Sequence, residues 1–114
     1  MADMEQGKLL RVFVGELDKV DGHPLFEAIL DAARAAGLAG GTVLRGVESF
    51  GGSREMHSAK VLRLSERLPL VVEIVDRPDK VEAFLPRLDE LLNRAGCGGL
   101  VTMEKVSMRQ YPSG

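Results

Sequence analysis

Residues 68–75 read LPLVVEIV, and residues 78–92, two positions further on, read PDKVEAFLPRLDELL. The first run is short, rich in β-branched residues and flanked by polar chain, which predicts the strongest strand of the molecule. Pro69 suits its start, where no ladder donor is needed. In the second run Pro78 opens a helix, and Val81, Phe84, Leu85, Leu88, Leu91 and Leu92 make an apolar stripe at helical spacing. Pro86 interrupts that stripe. An interior proline costs about 3 kcal/mol, so the spacing predicts a kink or a restart there.

Working outward, residues 8–15 (KLLRVFVG) form a second apolar run, with Leu10, Val12 and Val14 on one face and Leu9, Arg11 and Phe13 on the other. It reads as a central strand. A polar turn, LDKVDG, leads to His23 and Pro24 and then to Leu25, Phe26, Ile29, Ala32, Ala33 and Ala36, a first helix with Gly37 as its stop. Residues 40–50 (GGTVLRGVESF) predict one further strand, punctuated by Gly51 and Gly52. RAGCGG, residues 94–99, ends the second helix, and residues 100–109 supply a last strand of mixed polarity.

The order is βαββαβ. Right-handed crossovers in both halves give an α+β, ferredoxin-like domain: a four-stranded antiparallel sheet with two helices on one face. The other face is uncovered. Leu9, Phe13, Val71 and Val75 lie on it with Arg11 and Glu73, which is too apolar for a wet surface and predicts a homo-oligomer built on the sheet. Residues 1–7 are expected to be a disordered tail, and residues 8–114 the domain.

With 114 residues, one core suffices without metal or disulfide staples. Fifteen basic against seventeen acidic residues argue against phosphate-neutralising nucleic-acid binding, and no polybasic run addresses a membrane. The single Cys97 forms no internal disulfide, no signal-peptide pattern begins the chain, and no apolar run reaches membrane-spanning length. A cytoplasmic protein is expected.

Four segments in order, KLLRVFVGE, AGLAGGTVLRGVESFG, HSAKVLRLSERLPLVVEIVD and FLPRLDELL with GLVTMEKV, resemble the family known as domain of unknown function 190. By fold, that family is grouped with the PII-like superfamily of signal-transduction and divalent-cation-tolerance proteins. The resemblance implies a homotrimer with sheets inward. It also implies a small anionic ligand, of the ATP, ADP or AMP type, held in clefts between subunits. The loop equivalent to residues 51–67 would then present itself to a target, a membrane transporter or an enzyme. Val43, Arg45 and Gly46 match the end of the PII second strand. Gly51 and Gly52 would let backbone amides approach a phosphate, with Arg54, His57 and Lys60 supplying charge. Gly96 and Gly98 match the glycine pattern of the loop that wraps phosphates in PII, and Gly99 stands where that loop carries a phosphate-contacting lysine. Arg109 would approach a neighbouring subunit's ligand. The tyrosine that PII proteins modify has no counterpart, because Tyr111 lies near the C-terminus.

Each of these residues also has a plainer reading. Glycines after a helix cap it and turn the chain. Arg45 on an apolar strand calls for a partner, either a ligand or an ion pair with Glu73 or Glu48. His23, His57 and Cys97 show no metal-ligand spacing, which leaves a metal site only if threefold symmetry gathers His57 from three subunits, as in a cation-tolerance type of trimer. Ser53, Ser58 and Ser65 near His57 do not form a nucleophile-elbow pattern, and the turn after the first strand lacks the arginine that acylphosphatases need there. No catalytic constellation is recognised; a small enzyme using His57 is the remaining alternative.

Overall fold

The computed structural model describes residues 3–46, 48–50, 56–58 and 68–113, the side chains of 48–50 and 56–58 excepted. The elements in chain order are β1 (Glu5–Gly15), β2 (Lys19–Val20), β3 (His23–Pro24), α1 (Leu25–Ala35), β4 (Gly41–Arg45), β5 (Glu48–Phe50), β6 (Met56–Ser58), β7 (Pro69–Asp76), α2 (Pro78–Ala95) and β8 (Leu100–Met108). Four of these strands make the main sheet in the order β4-β7-β1-β8, antiparallel throughout. This is the expected ferredoxin-like arrangement.

Alternation in β1 and β7 sorts the two faces. Leu10, Val12, Val14, Leu70, Val72 and Ile74 are buried and pack against Leu25, Ile29 and Ala33 of α1 and Val81, Phe84, Leu88 and Leu91 of α2. Burying this set is the main stabilising term, worth roughly 1.5–3 kcal/mol for each fully buried large side chain. Asp76, the one buried charged residue among those described, accepts hydrogen bonds from the N–H groups of Ala39 (2.9 Å) and Arg77 (2.7 Å). It thereby joins the chain entering β4 to the chain entering α2.

The opposite face is laid out in rows by the register. Leu44, Val71, Phe13 and Leu100 stand side by side across all four strands; Thr42, Glu73, Arg11 and Thr102 form the next row; Val75, Leu9 and Glu104 form the third. The Arg11 guanidinium bridges two rows, donating to Glu73 (2.9 Å) and Glu104 (2.6 Å). These carboxylates, Glu73 foremost, raise the Arg11 pKa still further above its ordinary value. Phe13, Leu44, Val75 and Leu100 are exposed.

Four local features differ from the sequence-based expectation. β1 begins at Glu5, not at residue 8, because Glu5–Gly7 pair with Val106–Met108 at the far end of β8. The single strand expected over 40–50 is divided: β4 stops at Arg45, and β5 pairs with β6 in a separate hairpin. Gly46 marks the division, donating its N–H to Pro69 O (2.7 Å), with Pro69 Cγ 2.8 Å from where a Cβ would stand. The polar turn after β1 contains the small ladder of β2 with β3. Helix α2 runs without a restart through Pro86, which lies on its exposed face, where water can satisfy the carbonyl that loses its partner.

Candidate functional site

The glycine loop after α2 is built by backbone conformation. Gly96 caps the helix in the left-handed region (φ 64°), donating its N–H to Leu92 O (3.1 Å). Gly98 (φ 79°) and Gly99 (φ 149°) continue with positive φ, which side chains disfavour. A Cβ on Gly99 would lie 3.2 Å from Phe13 O, so this glycine also lets the chain pass close to β1 before β8 begins. Cys97 projects from the loop, exposed, with Sγ near the carbonyls of Ala95 (3.4 Å) and Lys19 (3.8 Å).

Arg45 ends β4 opposite Leu70, and so lies on the helix-bearing face of the sheet. Glu73 is opposite Thr42 and Arg11, on the other face. The expected Arg45–Glu73 pair is therefore ruled out by register, because a side-chain period of two puts residues 70 and 73 on opposite faces. Glu73 binds Arg11 instead; among the described residues the partner of Arg45 is Glu16, one residue beyond β1, and the side chain of Glu48, the other expected partner, lies outside the description. Sequence reasoning missed Glu16. Its only signal was an acidic residue just past a strand end, which acquires meaning once β4 is known to lie two strands away from β1 on that side.

Arg45, Gly46 and the Gly96–Gly99 loop share one end of the sheet, where β1 and β4 finish and β7 and β8 begin. They occupy opposite edges of it. Three strand spacings separate β4 from β8, about 14 Å, more than one phosphate group spans. Arg109 follows β8 at the other end, nine residues from Leu100 and therefore about 30 Å from the glycine loop. A single chain thus does not bring these three groups together. Gly51, Gly52, Arg54 and Lys60 lie outside the described residues; His57 lies in β6, with its side chain outside the description.

Among the described residues, no group of three or more His, Cys, Asp or Glu side chains is placed to hold a metal ion. No described helix is long and apolar enough to cross a membrane.

Comparison with known proteins follows the same lines. Residues 7–108 match the model of the domain of unknown function 190 family, described as "Uncharacterized ACR". A UPF0166 protein of Aquifex aeolicus is 36% identical over 101 residues, covering 89% of this chain and 91% of its own length. A UPF0166 protein of Methanocaldococcus jannaschii is 30% identical over 93 residues, covering 82% of this chain and 85% of its own. Among solved structures, CPII, a nitrogen regulatory PII-like protein from Thiomonas intermedia K12 bound to ADP, AMP and bicarbonate, superposes with a TM-score of 0.72 at 14% identity, covering 93% of this chain and 91% of its own. CPII bound to ADP, AMP and acetate gives a TM-score of 0.65 at 14% identity, with 96% and 94% covered. At those identities the likeness concerns the fold. Nearly the whole span from β1 to β8 lies inside the family match, and the chain belongs to the domain of unknown function 190 family, with the PII-like fold.

Proposed function

We propose that this protein is a cytoplasmic, PII-like regulator that forms a homotrimer, binds an adenine nucleotide in the clefts between subunits, and controls a partner through residues 51–67. The observation that carries this reading is the placement of Arg45 with Gly46 on one edge of the sheet and of Gly96, Gly98 and Gly99 on the other, at the same end. A ligand that uses both sets needs two copies side by side, β4 of one near β8 of the next. The apolar row Leu44, Val71, Phe13 and Leu100 supports the same assembly, since it offers each copy an uncovered face to bury. The ligands of CPII make ADP and AMP the first nucleotides to test.

In this scheme the Arg45 guanidinium and the backbone of the Gly98–Gly99 stretch receive the phosphates, the Gly96 N–H being held by the helix cap. Gly51, Gly52, Arg54, His57 and Lys60 add contacts from the segment beyond β4, and Arg109 contributes from a neighbouring subunit. The nucleotide shifts residues 51–67 toward one arrangement, and a transporter or enzyme reads it through differential affinity. Isothermal titration calorimetry with ATP, ADP and AMP, alongside sedimentation equilibrium, tests the proposal. Saturable heat with one nucleotide per subunit and a trimer mass is expected. No heat with any of the three, with or without magnesium, refutes the nucleotide reading.

A further inference from the structure

The Arg45 end of the sheet carries an ion pair between residues 29 positions apart, Arg45 Nη2 donating to Glu16 Oε1. Both residues border an opening of about 260 Å³ whose other walls are Phe26, Val43 and Leu70. The two partners are unequal. The Glu16 side chain is 20% exposed and that of Arg45 59%, so the carboxylate is held while the guanidinium reaches toward solvent. Among the described residues, Glu16 engages one of the five guanidinium N–H donors, and a guanidinium fork is shaped for a planar carboxylate or a phosphate.

We infer that Glu16 is an internal competitor for the anion that Arg45 takes. Its carboxylate occupies, in the free chain, the seat of a ligand's phosphate or carboxylate group, and the ligand binds by displacing it. This inference rests on the ligand reading of Arg45 given above. Displacement is cheap because an exposed ion pair contributes little, while a phosphate brings more charge and accepts two hydrogen bonds from the fork. It also bears on the segment between β4 and β7. Glu16 donates its N–H to Leu68 O (2.8 Å) and Gly46 donates its own to Pro69 O (2.7 Å), so both partners adjoin the points where the chain leaves and re-enters the sheet. With the ion pair made, side chain and backbone tie β1, β4 and the start of β7 together; with Arg45 on a ligand, the backbone bonds alone remain.

Calorimetric titration of ADP into the wild type, Glu16→Gln, Arg45→Gln and the double variant tests this. Glu16→Gln should tighten ADP binding about 1.4- to 5-fold, the range an exposed ion pair spans. Arg45→Gln should weaken it, and adding Glu16→Gln to Arg45→Gln should change nothing further. Thermal melts monitor folding, and Glu16→Ala, which keeps the backbone N–H bond to Leu68, serves as a second variant. If Arg45→Gln weakens binding while neither Glu16 variant tightens it, the competitor role is overturned and the ligand reading stands. Tightening that persists in the Arg45→Gln background marks a long-range charge effect and overturns it too. If Arg45→Gln binds ADP like the wild type, or if none of the proteins binds it, the Arg45 reading falls and the inference with it.

Discussion

Replacing the loop glycines one at a time separates backbone necessity from ligand contact. Gly96 and Gly98 have φ of 64° and 79° with nothing within 4 Å of a prospective Cβ, so Gly96→Ala and Gly98→Ala pay for the left-handed conformation alone. That cost is about 1–2 kcal/mol at each position. Gly99→Ala pays for φ of 149°, within a range of about 1–3 kcal/mol, and meets Phe13 O at 3.2 Å as well, so it should be the most destabilising of the three. Gly40 is the control: its φ is ordinary and its surroundings are open, so Gly40→Ala should be neutral or stabilising by up to about 1 kcal/mol. Urea denaturation followed by far-UV circular dichroism reads these differences as midpoint shifts at constant slope. Gly96→Asn should recover part of the loss, because asparagine tolerates the left-handed region. Three alanine variants as stable as Gly40→Ala would refute the claim that backbone conformation selects these glycines, and a ligand role alone would then account for them.

Phe13→Asp places a charge in the middle of the apolar row and should convert the proposed homotrimer to monomer in sedimentation equilibrium; an unchanged mass would remove the sheet face as the interface. Pro86→Ala restores an α2 hydrogen bond on the exposed face and should stabilise the fold by about 1–3 kcal/mol, and a lower melting temperature would show that the proline is required where it stands. Asp76→Ala leaves the N–H groups of Ala39 and Arg77 without their acceptor and should cost about 1–3 kcal/mol per group that stays dry; an unchanged urea midpoint would mean that water replaces the carboxylate.

Much of the candidate site was legible as residue type. Helix-stop glycines at 96, 98 and 99 announce unusual backbone, and an arginine inside an apolar run announces a partner. The sequence left the identity of that partner open between a ligand, Glu73 and Glu48; register removes Glu73, and among the described residues the free chain pairs Arg45 with Glu16. Nothing local distinguishes these acids, because the choice depends on which face Arg45 presents and on which strand lies beyond β7. Arg11 and Glu73 were legible as sharing the uncovered face, but their pairing with each other and with Glu104 was not, for the same reason: these acids lie 62 and 93 residues from Arg11 and meet it through two strand pairings.

Period-two alternation in residues 8–15 and 68–75 and the helical stripes after Pro24 and Pro78 determine the elements, their order and the face each one buries, since these depend on contacts within a few residues. The tertiary structure decided where those elements end and what they bring together. β1 gains Glu5–Gly7 because β8 is long enough to pair with them, the chain after Arg45 leaves the sheet where Gly46 meets Pro69, and α2 carries Pro86 because its stripe is held against the sheet on both sides of that residue. Each outcome is set by hydrogen bonding or burial between segments distant in sequence, and a one-residue change of register would reverse every face on which the site depends.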